Sequence, residues 1–190
     1  LDQNQIEQRS KQLFPDSDQP INFVIPISGA AVGLKYFTKL VNQLGLWSER
    51  YQFSVVSRYS PHTKDFLRKM AARTGTQIYT DEEDRKVVDY YEDLYQQELV
   101  GLEITKPSEQ AFKALLEPTR VGGSILLFSR PVGRQEYDNL EFLIRHNLIP
   151  DQDDQEKLWK LAAANTDLEG TIWLDKATNW RGIRVMSDPI

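Results

Sequence analysis

The stretch Ile21-Asn22-Phe23-Val24-Ile25-Pro26-Ile27 decides the fold. It is a short apolar run rich in branched side chains, stopped by Ser28-Gly29, and such a run fits a strand buried on both faces. Just downstream, Phe37, Leu40, Val41 and Leu44 recur at helical spacing, which predicts a helix over 30–46 with one apolar stripe, closed by Gly45. The alternation then repeats. Strands are predicted at 52–57, 77–79, 99–104 and 124–128, and helices at about 62–74, 81–97, 108–117, 135–147 and 152–165. The helix from 81 opens on acidic residues, which suit the positive end of its dipole. Five βα units in a row mean a mainly parallel sheet with helices on both faces and right-handed crossovers. The predicted class is α/β, a Rossmann-like three-layer sandwich.

Working outward, residues 1–20 are polar and rich in Gln, and read as a linker or an N-terminal helix at 3–13. The boundary is placed between Pro15 and Pro20, with one domain over 21–190. Beyond Leu168 the pattern loosens, with a strand predicted at 171–174 and Trp173 and Trp180 pinning the tail. With 190 residues, 40% apolar and 27% charged, the chain can bury the core of one ordinary soluble domain. No apolar run is long enough to span a bilayer. The absence of cysteine removes disulfides, thiolate metal sites and cysteine nucleophiles, and two histidines, His62 and His146, make a His-rich metal site a poor expectation. A net charge of −5 argues against general nucleic-acid binding. No secretory signal opens the chain, so a cytoplasmic location is expected; Leu1 in place of Met raises the expectation of a piece of a longer protein.

In an open parallel sheet, ligands bind outside the carboxyl ends of the strands, so the chemistry should lie just after each one. Those segments are Ser28-Gly29-Ala30-Ala31-Val32-Gly33, Ser57-Arg58-Tyr59-Ser60, Thr105-Lys106-Pro107-Ser108-Glu109, and Ser129-Arg130-Pro131-Val132-Gly133-Arg134-Gln135-Glu136. Three of the four carry cations (Arg58; Lys106; Arg130 and Arg134), with hydroxyls beside them and helix N-termini aimed at the same edge. Together they form the inventory that a phosphate or diphosphate needs, although any single Lys or Arg in such a loop is usually just solvated. The Gly29-x-Ala31-x-Gly33 spacing departs from the dinucleotide G-x-G-x-x-G, and Ser57-Arg58 stands where a ribose-binding acid would. Arg58 would instead suit a 2′-phosphate, which keeps an NADP reading open. Glu82-Glu83 and Asp153-Asp154 read as solvated helix starts, and His146 as a helix C-terminal residue.

Thr105-Lys106-Pro107-Ser108-Glu109 opening a helix, then the strand Ser124 to Phe128 with Arg130-Pro131, then Gln135-Glu136-x-x-Asn139, resembles the C-terminal half of a GT-B glycosyltransferase. The resemblance is to the group with the MurG lipid II synthase and the plant monogalactosyldiacylglycerol synthases, and it covers about 21–165. It implies a UDP-sugar donor, with Ser28, Gly29 and Ala30 on the diphosphate and Thr105 to Glu109 along the sugar side. Gln135 and Glu136 would hold sugar hydroxyls and Asn139 would steady the loop. It implies no metal or other cofactor, leaving-group charge being met by helix dipoles and basic side chains. It also implies a missing N-terminal acceptor domain, through which alone the protein would meet a membrane. This chain would then be the donor-binding fragment of a hexosyl or N-acetylhexosaminyl transferase, inactive alone. The other reading is a non-catalytic Rossmann-like module. It is favoured by the thin glycine loop and by Ala111-Phe112-Lys113-Ala114 where the family commonly has a ribose-binding acid.

Overall fold

The computed structural model describes residues 20–44, 51–97, 100–108, 124–146 and 148–149, with Asn4, Asp153, Gln155, Glu156 and Trp159. Five strands, β1 (Ile21–Ile27), β2 (Tyr51–Arg58), β3 (Thr76–Asp81), β4 (Val100–Thr105) and β5 (Ser124–Leu127), form one sheet in the order β3-β2-β1-β4-β5. Every neighbouring pair is parallel. Among the described residues the sheet is accompanied by the helices α1 (Leu34–Leu44), α2 (Lys64–Ala71), α3 (Asp84–Gln97) and α4 (Arg134–Arg145). The chain steps outward from β1 to β3, then crosses back to place β4 on the other side of β1. The order therefore reverses between β1 and β4, as it does in Rossmann-like folds.

Alternate residues of each strand feed two cores. Phe23, Ile25 and Ile27 of β1 pack with Phe37, Leu40 and Val41 of α1 and with Phe66, Leu67 and Met70 of α2. On the opposite face Val24, Val56 and Ile125 pack with Tyr91, Leu94 and Tyr95 of α3 and Leu143 of α4. Helices thus cover both faces, and the predicted three-layer α/β sandwich is the observed one. A register shift at Asn22/Phe23 pairs Asn22 with Val100 and Phe23 with Leu102. Gly101 is the extra residue, so Val100 joins the second core while Leu102 joins the first. One acid, Glu103, is buried in the α3 face of β4. Its Oε2 accepts the Tyr91 hydroxyl at 2.6 Å and the Tyr95 hydroxyl as well.

The predicted strands match within two residues at each end, because both-face burial leaves a continuous apolar signature. Helix starts differ more. The first predicted helix began at 30; α1 begins at Leu34, since Ala31 (φ 53°) and Gly33 (φ 86°) are left-handed and Ala31 N–H donates to Ser28 O at 2.8 Å. The third was expected from 81; Asp81 instead stays in β3 opposite Arg58. Its Oδ1 accepts the Glu83 N–H at 2.9 Å, which holds the carboxyl below its ordinary range, with Lys86 adding to the effect. Among the described residues no helix is long and apolar enough to cross a membrane. Nearly all of the expected segments at 3–13, 15–20, 108–117 and 152–165, all of 171–174, and Trp173 and Trp180 lie outside the described residues.

Candidate functional site

A cleft of about 700 Å³ opens at the carboxyl ends of β1, β2 and β3. Ser28 and Gly29 give one wall, Arg58 and the turn 59–64 another, and Glu82 a third. The turn is built by its sequence. Ser60-Pro61-His62-Thr63 places Pro where a helix start needs no N–H, with hydroxyls on either side of it. Lys64 N–H donates to Ser60 O at 2.9 Å, Ser60 N–H to Thr63 Oγ1 at 3.0 Å, and Thr63 Oγ1–H to Arg58 O at 2.7 Å. Thr63 is buried at 3% exposure, so its hydroxyl has no water to fall back on. Thr63→Val keeps the shape, strands the Ser60 N–H and leaves the Arg58 carbonyl to the longer bond from the Ser57 hydroxyl at 3.1 Å. It is expected to cost roughly 1–3 kcal/mol, read as a lower urea midpoint with unchanged slope, whereas Thr63→Ser stays close to the parent.

Arg58 does not reach freely into the cleft. Its Nε donates to Glu82 O at 3.0 Å, and its Nη1 pairs with Asp84 Oδ2 at 3.2 Å. Ser28 Oγ is buried with no hydrogen-bond partner among the described residues. Gly29 faces open space: a Cβ there would meet nothing within 4 Å. Gly33 is the opposite case. A Cβ would lie 2.6 Å from Phe128 Cζ, and that ring stacks on Tyr36 at 5.3 Å and meets Phe37 edge-on at 4.8 Å. Phe128 leaves β5 with its N–H on Thr105 O at 2.9 Å, so on the α1 side aromatic packing bridges the tips of β4 and β1. The loop that resembled a glycine fingerprint divides accordingly: Gly29 borders the cleft and Gly33 serves packing.

The other expected residues gather one strand further on. Lys106 Nζ pairs with Glu136 Oε1 at 2.7 Å, and Glu136 Oε2 accepts the Val132 N–H at 2.8 Å. Asn139 Nδ2 approaches Pro107 O at 3.5 Å, while Ser108 N–H donates to Lys106 O at 2.7 Å. The Gln135-Glu136-x-x-Asn139 motif therefore stitches the start of α4 to the loop after β4, with Thr105 buried in the strand below. Arg130 turns away to a two-pronged pair with Glu156, at 2.9 and 2.5 Å, and lies 4.8 Å from the Trp159 ring centre. Ala30, Arg134 and Gln135 are exposed, Arg134 making no ion pair among the described residues, and Glu109 lies outside them. The structure thus brings Ser28, Gly29 and Arg58 together in one cleft, and Lys106, Pro107, Glu136 and Asn139 together in a second cluster. Three of the four loop cations each face a carboxylate rather than a shared vacancy.

Sequence reasoning passed over Thr63 and Lys64 and read Glu82 as a solvated helix start; all three line the cleft, and the helix starts at Asp84. The Ser-Pro-x-Thr helix start was the available signal for the first two. His62, in the turn after β2, lines the cleft as well. Topology, layering and the position of the cleft define the class: a Rossmann-like α/β protein. No protein-family model matches the chain, and no curated protein matches its sequence.

Proposed function

We propose that this is a Rossmann-like binding module that takes a small ligand in the cleft at the tips of β1, β2 and β3. The cleft itself carries the reading. Its volume of about 700 Å³ lies inside the range of roughly 300–1,000 Å³ typical of small-molecule sites. It also sits at the sheet edge where α/β folds place ligands. The test is amide-resolved NMR titration of the chain with UDP, UDP-sugars, NADP and unphosphorylated nucleosides. Shifts confined to 28–29 and 58–64 are the expected outcome. A panel that leaves those amides unmoved at millimolar concentration removes the reading.

A second reading, the UDP-sugar-binding half of a GT-B glycosyltransferase, is favoured by one observation. The open backbone at Gly29 lies just past the tip of β1, the strand beside β4 and its Lys106–Glu136 pair. A donor spanning both would perturb both clusters, and at 100 times its Kd would stabilise the fold by about 2.7 kcal/mol. Transfer itself would need the acceptor half that this reading implies. A ligand that moves the first cluster alone favours the simple module.

A further inference from the structure

Resting on the binding-module reading, we infer that the cleft's ligand is a phosphate monoester bearing free hydroxyls, of mononucleotide or sugar-phosphate size. Three donors on its walls are spare. Arg58 is anchored through Nε and Nη1, which fixes the guanidinium plane and leaves Nη2 without a partner among the described residues. Lys64, exposed at the first position of α2, makes no ion pair among them. In the turn, the N–H groups of Tyr59, Ser60, Thr63 and Lys64 are all engaged and Pro61 has none, which leaves the His62 N–H. An ammonium, one edge of a guanidinium and a backbone N–H suit an oxyanion with several acceptor oxygens.

Charge distribution supplies the second argument. The chain is acidic overall, yet the layer holding α1 and α2 is basic: 34–44 and 64–73 carry six Lys and Arg against Asp65 alone. The approach to α3 and the helix itself, 82–97, carry six Asp and Glu against Arg85 and Lys86. The cleft lies where these layers meet. Its α2 side favours an anion, and its Glu82 side accepts hydroxyl donors. Size follows from the far wall. Past Ser28 and Gly29 the chain turns to Gly33, which Phe128 covers, so a second nucleotide has no continuation toward β4 on that side.

The experiment is calorimetric titration of the full chain with uridine 5′-monophosphate and ribose 5-phosphate, against uridine and ribose. NMR mapping and the variants Lys64→Gln and Lys69→Gln complete it. The phosphorylated probes are expected to bind at 28–29 and 58–64 at least ten-fold tighter than their unphosphorylated counterparts, and more weakly as salt rises. Losing one charge-assisted bond in Lys64→Gln should weaken them about ten-fold. Lys69→Gln, on the same helix outside the cleft, should not change them, and both variants should melt like the parent. Equal affinity for uridine and its monophosphate at the cleft overturns the phosphate assignment and leaves the module reading standing. Phosphate-dependent binding that Lys69→Gln weakens as much as Lys64→Gln overturns the site. Absence of binding by either phosphorylated probe overturns the inference, while the wider NMR panel judges the module reading separately.

Discussion

Gly33→Ala is expected to destabilise the fold by roughly 2–5 kcal/mol, the sum of two separate costs. The first is conformational. At φ 86° the backbone is in the left-handed region, where a Cβ costs about 1–2 kcal/mol. The second is steric. The new methyl would stand 2.6 Å from Phe128 Cζ and 3.1 Å from Phe37 Cε2. A lone ring could swing aside, but Phe128 is held by Tyr36 on its face and Phe37 at its edge. Moving it would open space among close-packed neighbours, at about 1–3 kcal/mol. The two costs separate by experiment. Phe128→Leu in the Gly33→Ala background should return part of the loss by relieving the overlap, while leaving the backbone cost. Chemical denaturation of the four-member cycle measures the coupling. Strict additivity of the two single losses would show that the ring does not set the glycine.

The same loop shows where the sequence stops being readable. Ala30-Ala31 are good helix formers, so propensity extends the helix back to them. Tertiary packing decides otherwise, because Phe128, far along the chain, settles against the turn and fixes where α1 begins. The strands were legible for the converse reason: burial on both faces is a local property that each segment carries alone. The loops after the strands were legible too, because a parallel sheet sends all its carboxyl ends to one edge. What those side chains do there was not. Asp84, Glu136 and Glu156 stand 26, 30 and 26 residues from the cations they neutralise. No short-range spacing reports such a pairing. A count of cations at the strand tips therefore suggests one positive shelf, where the structure has two clusters and few spare donors. Lys64 was hidden differently, as an ordinary lysine until the Ser60–Thr63 turn aims its helix start at the cleft.

Glu103 yields the other large effect, a decline in stability as pH rises across neutrality, which Glu103→Gln removes. In Val100-Gly101-Leu102-Glu103-Ile104-Thr105 it is a single charged residue in a buried strand, 1% exposed. Burial pushes its carboxyl up to about 8, and the hydroxyls of Tyr91 and Tyr95 pull the other way without cancelling it. Both hydroxyls bond Oε2, while Oε1 is buried with no partner among the described residues, so the ionised form would leave half its charge unsolvated. Around neutral pH the folded protein therefore holds a mostly neutral acid. Unfolded, the same group titrates at its ordinary value of 4.5. Between 4.5 and about 8 the folded state binds the extra proton. The stabilisation is thus complete below the lower value, is lost progressively through the window, and changes no further above it. The total is on the order of a few kcal/mol. A glutamine in place of Glu103 would keep a carbonyl for the two tyrosine hydroxyls and could not ionise. Glu103→Gln should consequently be the more stable protein at pH 9 and close to the parent at pH 4. Urea unfolding of both chains from pH 4 to 9 checks this, since parallel curves would mean that Glu103 keeps an ordinary titration in the fold. Tyr91→Phe sharpens the test. Removing one donor from Oε2 raises the Glu103 titration further and shifts the upper end of the falling limb to higher pH.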